Sequence, residues 1–195
     1  MGTETPFPDG RSSPSAEGVM RDRLAALFRE LAMGNLSALE GIYDIAAGEL
    51  YGLALWRTGS PADAEDVVQT VFVRLVEARE RLAVVREPRS YLFAMAHRSA
   101  VDRRRGPASR AVPLEEDRDL LEAPPSDPGR VLDARRASAA LLGLPAPQRE
   151  AIFLHHFSNL TFAAIGRVTG VPMFTAASRY RNGIRALRRL MGLSR

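Results

Sequence analysis

Apolar residues in this chain return every three or four positions, and no stretch alternates with the period of two that a half-buried strand needs. Every ordered segment is therefore expected to be helical. Between residues 19 and 33 they fall at Leu24, Leu27, Phe28 and Leu31, the i, i+3, i+4, i+7 stripe of an amphipathic helix. "SALE" from Ser37 to Glu40 has the form of a capping box opening a second helix, which buries Leu39, Ile42, Tyr43, Leu50, Leu53 and Ala54 before "RTGSP" ends it. Ser60 can cap a third helix, with Pro61 at its first position and Asp63, Glu65 and Asp66 complementing the positive end of its dipole. Its core face is Val67, Val68, Val71, Phe72 and Leu75, which leaves Glu65, Asp66, Gln69 and Thr70 outward. After a loop around "AVVREP", a fourth helix runs from about Arg89 to Arg105 and is closed by Gly106 and Pro107.

The same reading divides the chain. Residues 1–18 are rich in Pro, Gly and Ser without periodicity and read as a disordered tail. Residues 19–107 form a four-helix domain. Residues 108–130, with "PLEEDRDLLEAPPSDPG", read as an acidic, proline-rich linker. Residues 131–195 form a second helical domain with segments at 131–144, "PAPQREAIFLHHF", "TFAAIGRVTG" and "PMFTAASRYRNGIRALRRLM". The fold class is all-α, two small helical domains joined by that linker. In "TGVP", Gly170 can take the left-handed cap conformation, Val171 can plug the angle between helices and Pro172 can start the next. Helix, glycine turn and helix make a helix-turn-helix, whose second helix enters the major groove of DNA.

Charge supports that reading. All 27 basic residues are arginine, the formal net charge is +4, and the pI near 10.2 suits a polyanionic partner. The last carboxylate is Glu150, and Thr169–Arg195 carries six arginines. On a helical wheel Tyr180, Ile184, Leu187 and Met191 take one side, and Ser178, Arg181, Asn182, Arg185, Arg188 and Arg189 the other. An ordinary solvated face would mix signs to relieve repulsion at i, i+3 and i+4, and nothing does so here, so contact with DNA is the favoured reading. Arg103, Arg104 and Arg105 close the fourth helix, which also carries Arg89, Arg98, Tyr91 and Phe93. Aromatics beside arginines suit single-stranded nucleic acid, with a dipole-complementing cap cluster and ordinary core packing as the alternatives.

Other chemistries find no residues to carry them. The chain has no cysteine, hence no disulfide or thiolate zinc site. His155 and His156 are adjacent and point about 100° apart on a helix, a poor metal pair, and His97 is remote in sequence. No catalytic triad order, P-loop or dinucleotide fingerprint is present, so no enzymatic activity, cofactor or small-molecule substrate is expected. The N-terminus lacks the apolar core of a signal peptide and no run approaches the roughly 18 apolar residues of a membrane span, so the expected location is cytoplasmic, without membrane insertion.

Three stretches in this order, "GSPADAEDVVQTVFVRLVEARERL", "PRSYLFAMAHRSAVDRRR" and "LPAPQREAIFLHHFSNLTFAAIGRVTGVPMFTAASRYRNGIRALRRL", resemble bacterial RNA polymerase sigma factors of the sigma-70 family, extracytoplasmic-function type. The likeness runs from about Leu24 to Leu190. It implies that the first domain (sigma-2) binds the β′ clamp helices of core RNA polymerase and melts the minus-10 element of promoter DNA. It implies that the second (sigma-4) binds the β flap and reads the minus-35 element. Carried onto this sequence, Asp63, Glu65, Asp66 and Gln69 would contact the clamp. Arg89, Arg98, Arg103, Arg104 and Arg105, with the loop from Arg81 to Glu87, would meet the minus-10 region. Thr175, Ser178, Arg179, Arg181, Asn182 and Arg185 would meet the minus-35 duplex. An anti-sigma factor is a further partner of such proteins. Two other readings compete with promoter-directed initiation: a helix-turn-helix regulator acting without polymerase, and a sigma-like decoy that titrates an anti-sigma factor.

Overall fold

The computed structural model describes residues 14–105 and 139–193, and there the chain is helical with no strand. Four helices make the first half: α1 (Pro14–Ala32), α2 (Ala38–Thr58), α3 (Pro61–Glu77) and α4 (Pro88–Arg105), with a 3-10 helix, Arg79–Val84, between the last two. The second half contains a short helical piece at 139–142, then α5 (Ala146–His156), α6 (Phe162–Thr169) and α7 (Met173–Leu190). Helix α1 begins at Pro14, inside the stretch expected to be a tail. The expected linker and most of the segment at 131–144 lie outside the described residues.

Local chemistry places most boundaries. Gly59 ends α2 at φ 76°, its N–H bonded to the Leu55 carbonyl at 2.8 Å, a backbone shape glycine adopts without steric cost. Ser60 then caps α3, its hydroxyl accepting from the Asp63 N–H at 3.3 Å, with Pro61 at the first position. The capping box at Ser37 does not form. Ser37 is itself helical (φ −63°, ψ −22°) and its side chain caps nothing, because Asn35 already organises the turn. The Asn35 side-chain oxygen accepts from the Ser37 N–H and its carbonyl from the Ala38 N–H, both at 3.2 Å.

The first-half core is the expected one, built on Leu24, Phe28, Leu31, Ile42, Leu50, Leu53, Val67, Val71 and Leu75, joined by Leu82, Leu92 and Phe93. Tyr43 departs from expectation. It is 54% exposed and lays its ring against Phe72 at 5.1 Å instead of entering the core. Phe93 is buried and Tyr91 meets Phe28 edge-on at 6.2 Å, so both aromatics of α4 serve packing rather than a stacking surface.

The two halves share one continuous apolar cluster. Trp56 of α2 packs against Phe153 and Phe157 at 5.3 Å from each, and the Phe153 ring sits on Gly52, where there is no side chain to obstruct it. Arg149 donates to the Trp56 carbonyl at 2.9 Å. Beside this contact Glu150, 1% exposed, accepts from Arg57 at 3.2 Å and pairs with His97 at 2.5 Å. One buried carboxylate on α5 thus meets a guanidinium from α2 and an imidazole from α4. A buried charge is tolerated only when partnered in this way.

Candidate functional site

Helices α6 and α7 form the helix-turn-helix. Thr161 caps α6 by accepting from the Ala164 N–H at 3.2 Å, and Gly170 ends it at φ 69°. Val171 is half-buried against the core and Pro172 stands immediately before α7, as the sequence led us to expect. The tightness of the turn depends on Gly166. A β-carbon there would lie 2.7 Å from the Val171 carbonyl oxygen and 3.3 Å from the Met173 nitrogen.

Helix α7 docks through its smallest residues. Ala176 and Gly183 are its buried positions, and a β-carbon on Gly183 would lie 2.9 Å from the Ile152 methyl of α5. Tyr180, Ile184 and Leu187, expected to form the buried side, are only half-buried. The reason is geometric: helices approach most closely where side chains are small, and larger neighbours flank that line. Tyr180 braces the arrangement. Its ring meets His155 at 4.7 Å and Phe162 at 5.4 Å, His155 stacks on Phe162 at 4.6 Å, and the His155 ring donates to the Leu160 carbonyl at 3.0 Å. Burial pushes the Tyr180 phenol above its ordinary pKa, against a smaller opposing effect of Arg188. Its hydroxyl lies 2.9 Å from the His156 ring nitrogen, within hydrogen-bonding distance. The adjacent histidines are thus anchors for α7, and no metal-binding group occurs among the described residues.

Away from that docked side, Arg181, Asn182, Arg185, Arg188 and Arg189 are exposed, while Thr175, Ser178 and Arg179 are half-buried. The only carboxylate of the described second half, Glu150, faces the interior, so the outward field of α7 is uniformly positive. Phe174, in the first turn, is 78% exposed.

The candidate residues of the first half are arranged less simply. Glu65 and Gln69 are exposed, and both line a groove between α2 and α3 formed by Tyr43, Ala47, Tyr51, Val68 and Phe72. Asp63 and Asp66 are not free: Arg103 of α4 bridges them at 3.1 and 2.7 Å. Two groups read separately in the sequence are therefore one half-exposed ion network, a contact worth at most about 1 kcal/mol in water. Arg89 is bound bidentately to Glu49, closest at 2.6 Å, and lies over the Phe93 ring at 5.7 Å, so its charge is already offset. Arg98 is exposed, and the side chains of Arg104 and Arg105 lie outside the described residues. The expected loop from Arg81 to Glu87 is half 3-10 helix, pinned by buried Leu82, with Arg81 and Arg86 exposed. Sequence reasoning missed the Arg57–Glu150–His97 triad and the groove at Tyr43, because each assembles side chains from different helices.

A family model described as Sigma-70 region 2 matches residues 42–110. The chain is 33% identical over 179 residues to the ECF RNA polymerase sigma factor SigK of Mycolicibacterium vanbaalenii, covering 88% of this chain and 90% of that protein. It is 30% identical over 160 residues to the ECF RNA polymerase sigma factor SigL of Mycobacterium tuberculosis, covering 80% and 90%. Its fold is similar to CnrH in complex with the cytosolic domain of CnrY, with TM-score 0.64 and 21% identity over 89% of this chain and all of that one. The sigma factor RpoE of Bartonella quintana, bound to the anti-sigma factor NepR, gives 0.62 and 22% over 80% and 98%. No helix among the described residues is long and apolar enough to cross a membrane. With its two helical halves in this order and a relative of that identity along most of its length, the chain belongs to the ECF sigma factors of the sigma-70 family.

Proposed function

We propose that this chain is a dissociable initiation factor that binds core RNA polymerase, opens promoter DNA at the minus-10 element with its first half and reads the minus-35 element with α7. The observation that carries the second part is the exposed, acid-free arginine stripe of α7 opposite its docked side. Arg181, Asn182 and Arg185 are the base and phosphate contacts, and Thr175, Ser178 and Arg179 flank them. The groove at Tyr43 and Phe72, with Glu65 and Gln69 beside it, suits a polymerase helix presenting apolar and basic groups. Asp63 and Asp66 are held by Arg103 in the free protein, so binding there exchanges one cation for another. Arg98, Arg103, Arg104 and Arg105 are the minus-10 contacts, whereas Arg89 is assigned a structural role on its pairing with Glu49. The RpoE relative is bound to an anti-sigma factor, which supports a protein inhibitor for this chain as well.

Run-off transcription with core polymerase tests the reading. Arg181→Ala and Arg185→Ala should each cost about 1–3 kcal/mol in promoter-dependent initiation while leaving association with core polymerase intact. Unchanged initiation by the double variant would refute the assignment of α7. Binding to free DNA should be weak and should fall steeply with salt, since much of the affinity is electrostatic.

A further inference from the structure

Phe174 does not fit the chemistry of its surroundings. It is the most exposed aromatic side chain among the described residues, and it packs on no other ring there. Burying such a ring is ordinarily favourable by about 1.5–3 kcal/mol, so a helix with an apolar face to offer it leaves that gain unused. Its direction is specific. At about 100° per residue, Phe174, Ser178, Arg181 and Arg185 fall within roughly 60° of one another, so the ring lies within the polar stripe and not at its margin.

Position along the helix narrows the role. In a helix-turn-helix the N-terminal residues of the second helix reach base edges, while contacts to phosphates fix register and depth. Phe174 is in the first turn of α7, and Arg181, Arg185 and Arg188 lie about two to four turns further on. A phenyl ring can neither donate to a phosphate nor pair with the donors and acceptors of a base edge. The apolar feature that the major groove offers such a ring is the 5-methyl group of thymine.

We infer that Phe174 is a specificity-determining residue that reads thymine in the duplex by packing its ring on the 5-methyl group. The inference rests on the proposal that α7 is the DNA-reading helix. It differs in kind from the arginine contacts: they supply affinity to any duplex and hydrogen bonds to purine edges, whereas Phe174 discriminates by shape and desolvation alone.

The test uses the full chain with core RNA polymerase and a random-sequence duplex library. In the enriched duplex each thymine is replaced in turn by uracil, which lacks only the methyl group. At one or two positions the loss of the methyl should weaken wild-type binding about 3- to 5-fold, the equivalent of one buried methyl. Phe174→Ala should bind the thymine and uracil duplexes equally at those positions, and selection with that variant should no longer enrich thymine there. A flat uracil scan, or a thymine-to-uracil ratio unchanged in Phe174→Ala, overturns the inference. So does a variant that assembles poorly with polymerase yet keeps its thymine preference, since the ring then meets protein. Arg181→Ala with Arg185→Ala separates the two levels. If that double variant weakens binding while the uracil scan is flat, only the role of Phe174 falls; if it binds normally, or if no sequence is enriched, the assignment of α7 falls with it. Because uracil substitution leaves the protein unchanged, a folding defect cannot imitate the expected result.

Discussion

Gly166 and Gly183 are both helical glycines at close contacts, yet replacing them should have different consequences. Alanine is favoured over glycine in a helix by about 0.5–1 kcal/mol, and that gain is set against whatever the new methyl meets. At Gly166 it meets the backbone of the turn, the Val171 carbonyl oxygen at 2.7 Å, which cannot move without opening the angle between α6 and α7. At Gly183 it meets the tip of Ile152 at 2.9 Å, a flexible end that can turn aside, although Gln148 is also close at 3.2 Å. Gly166→Ala should therefore lose about 1–3 kcal/mol in urea unfolding, as overpacking does, and Gly183→Ala should stay within about 1 kcal/mol of the parent. Equal losses would contradict this account. The arginine stripe was legible in the sequence because charge on a wheel needs no partner to be seen. The glycine contacts were not, since a wheel is dominated by large side chains while close approach is decided by the smallest.

Helix ends separate sequence signal from structural use. The sequence offered two capping residues, Ser37 and Ser60, of which only Ser60 caps, and the structure adds Thr161 as the cap of α6. Ser60→Ala and Thr161→Ala should each lower stability by about 1 kcal/mol, seen as a lower midpoint in thermal or urea unfolding. Ser37→Ala should change little, because Asn35 makes the hydrogen bonds at that corner. A loss at Ser37 as large as at Ser60 would show that the capping box forms in solution after all. The effect at Thr161 should also reach DNA binding, since α6 is only eight residues long and carries the turn that aims α7. Helix existence, order and type followed from periodicity almost throughout. The outward turn of Tyr43 and the 3-10 helix after α3 did not, because both depend on what α1 and α3 place opposite them.

Across the whole molecule, the contact between halves can be followed with Trp56, the single tryptophan of the chain, half-buried against Phe153 and Phe157. Gly52→Ile places a branched side chain where the Phe153 ring now rests, 2.8 Å from the position of a β-carbon. It should part the halves, shifting Trp56 emission to the red and raising the radius of gyration while helical content is kept. Emission that stays unchanged would mean that the halves are not packed this way in solution. Glu150→Ala should lower stability by about 3–5 kcal/mol, the cost of leaving the partly buried Arg57 and His97 without their carboxylate. Apolar period, turn residues and charge blocks were sufficient for the all-α class, the helix-turn-helix and the basic face of α7, because each is a local property of spacing. Whether the halves touch, which acid is buried between them, and which arginines are already paired were decided by the tertiary structure alone. Those outcomes depend on which helix faces meet, and Arg57, His97 and Glu150, like Asp63 and Arg103, become neighbours only when helices distant in sequence are packed together.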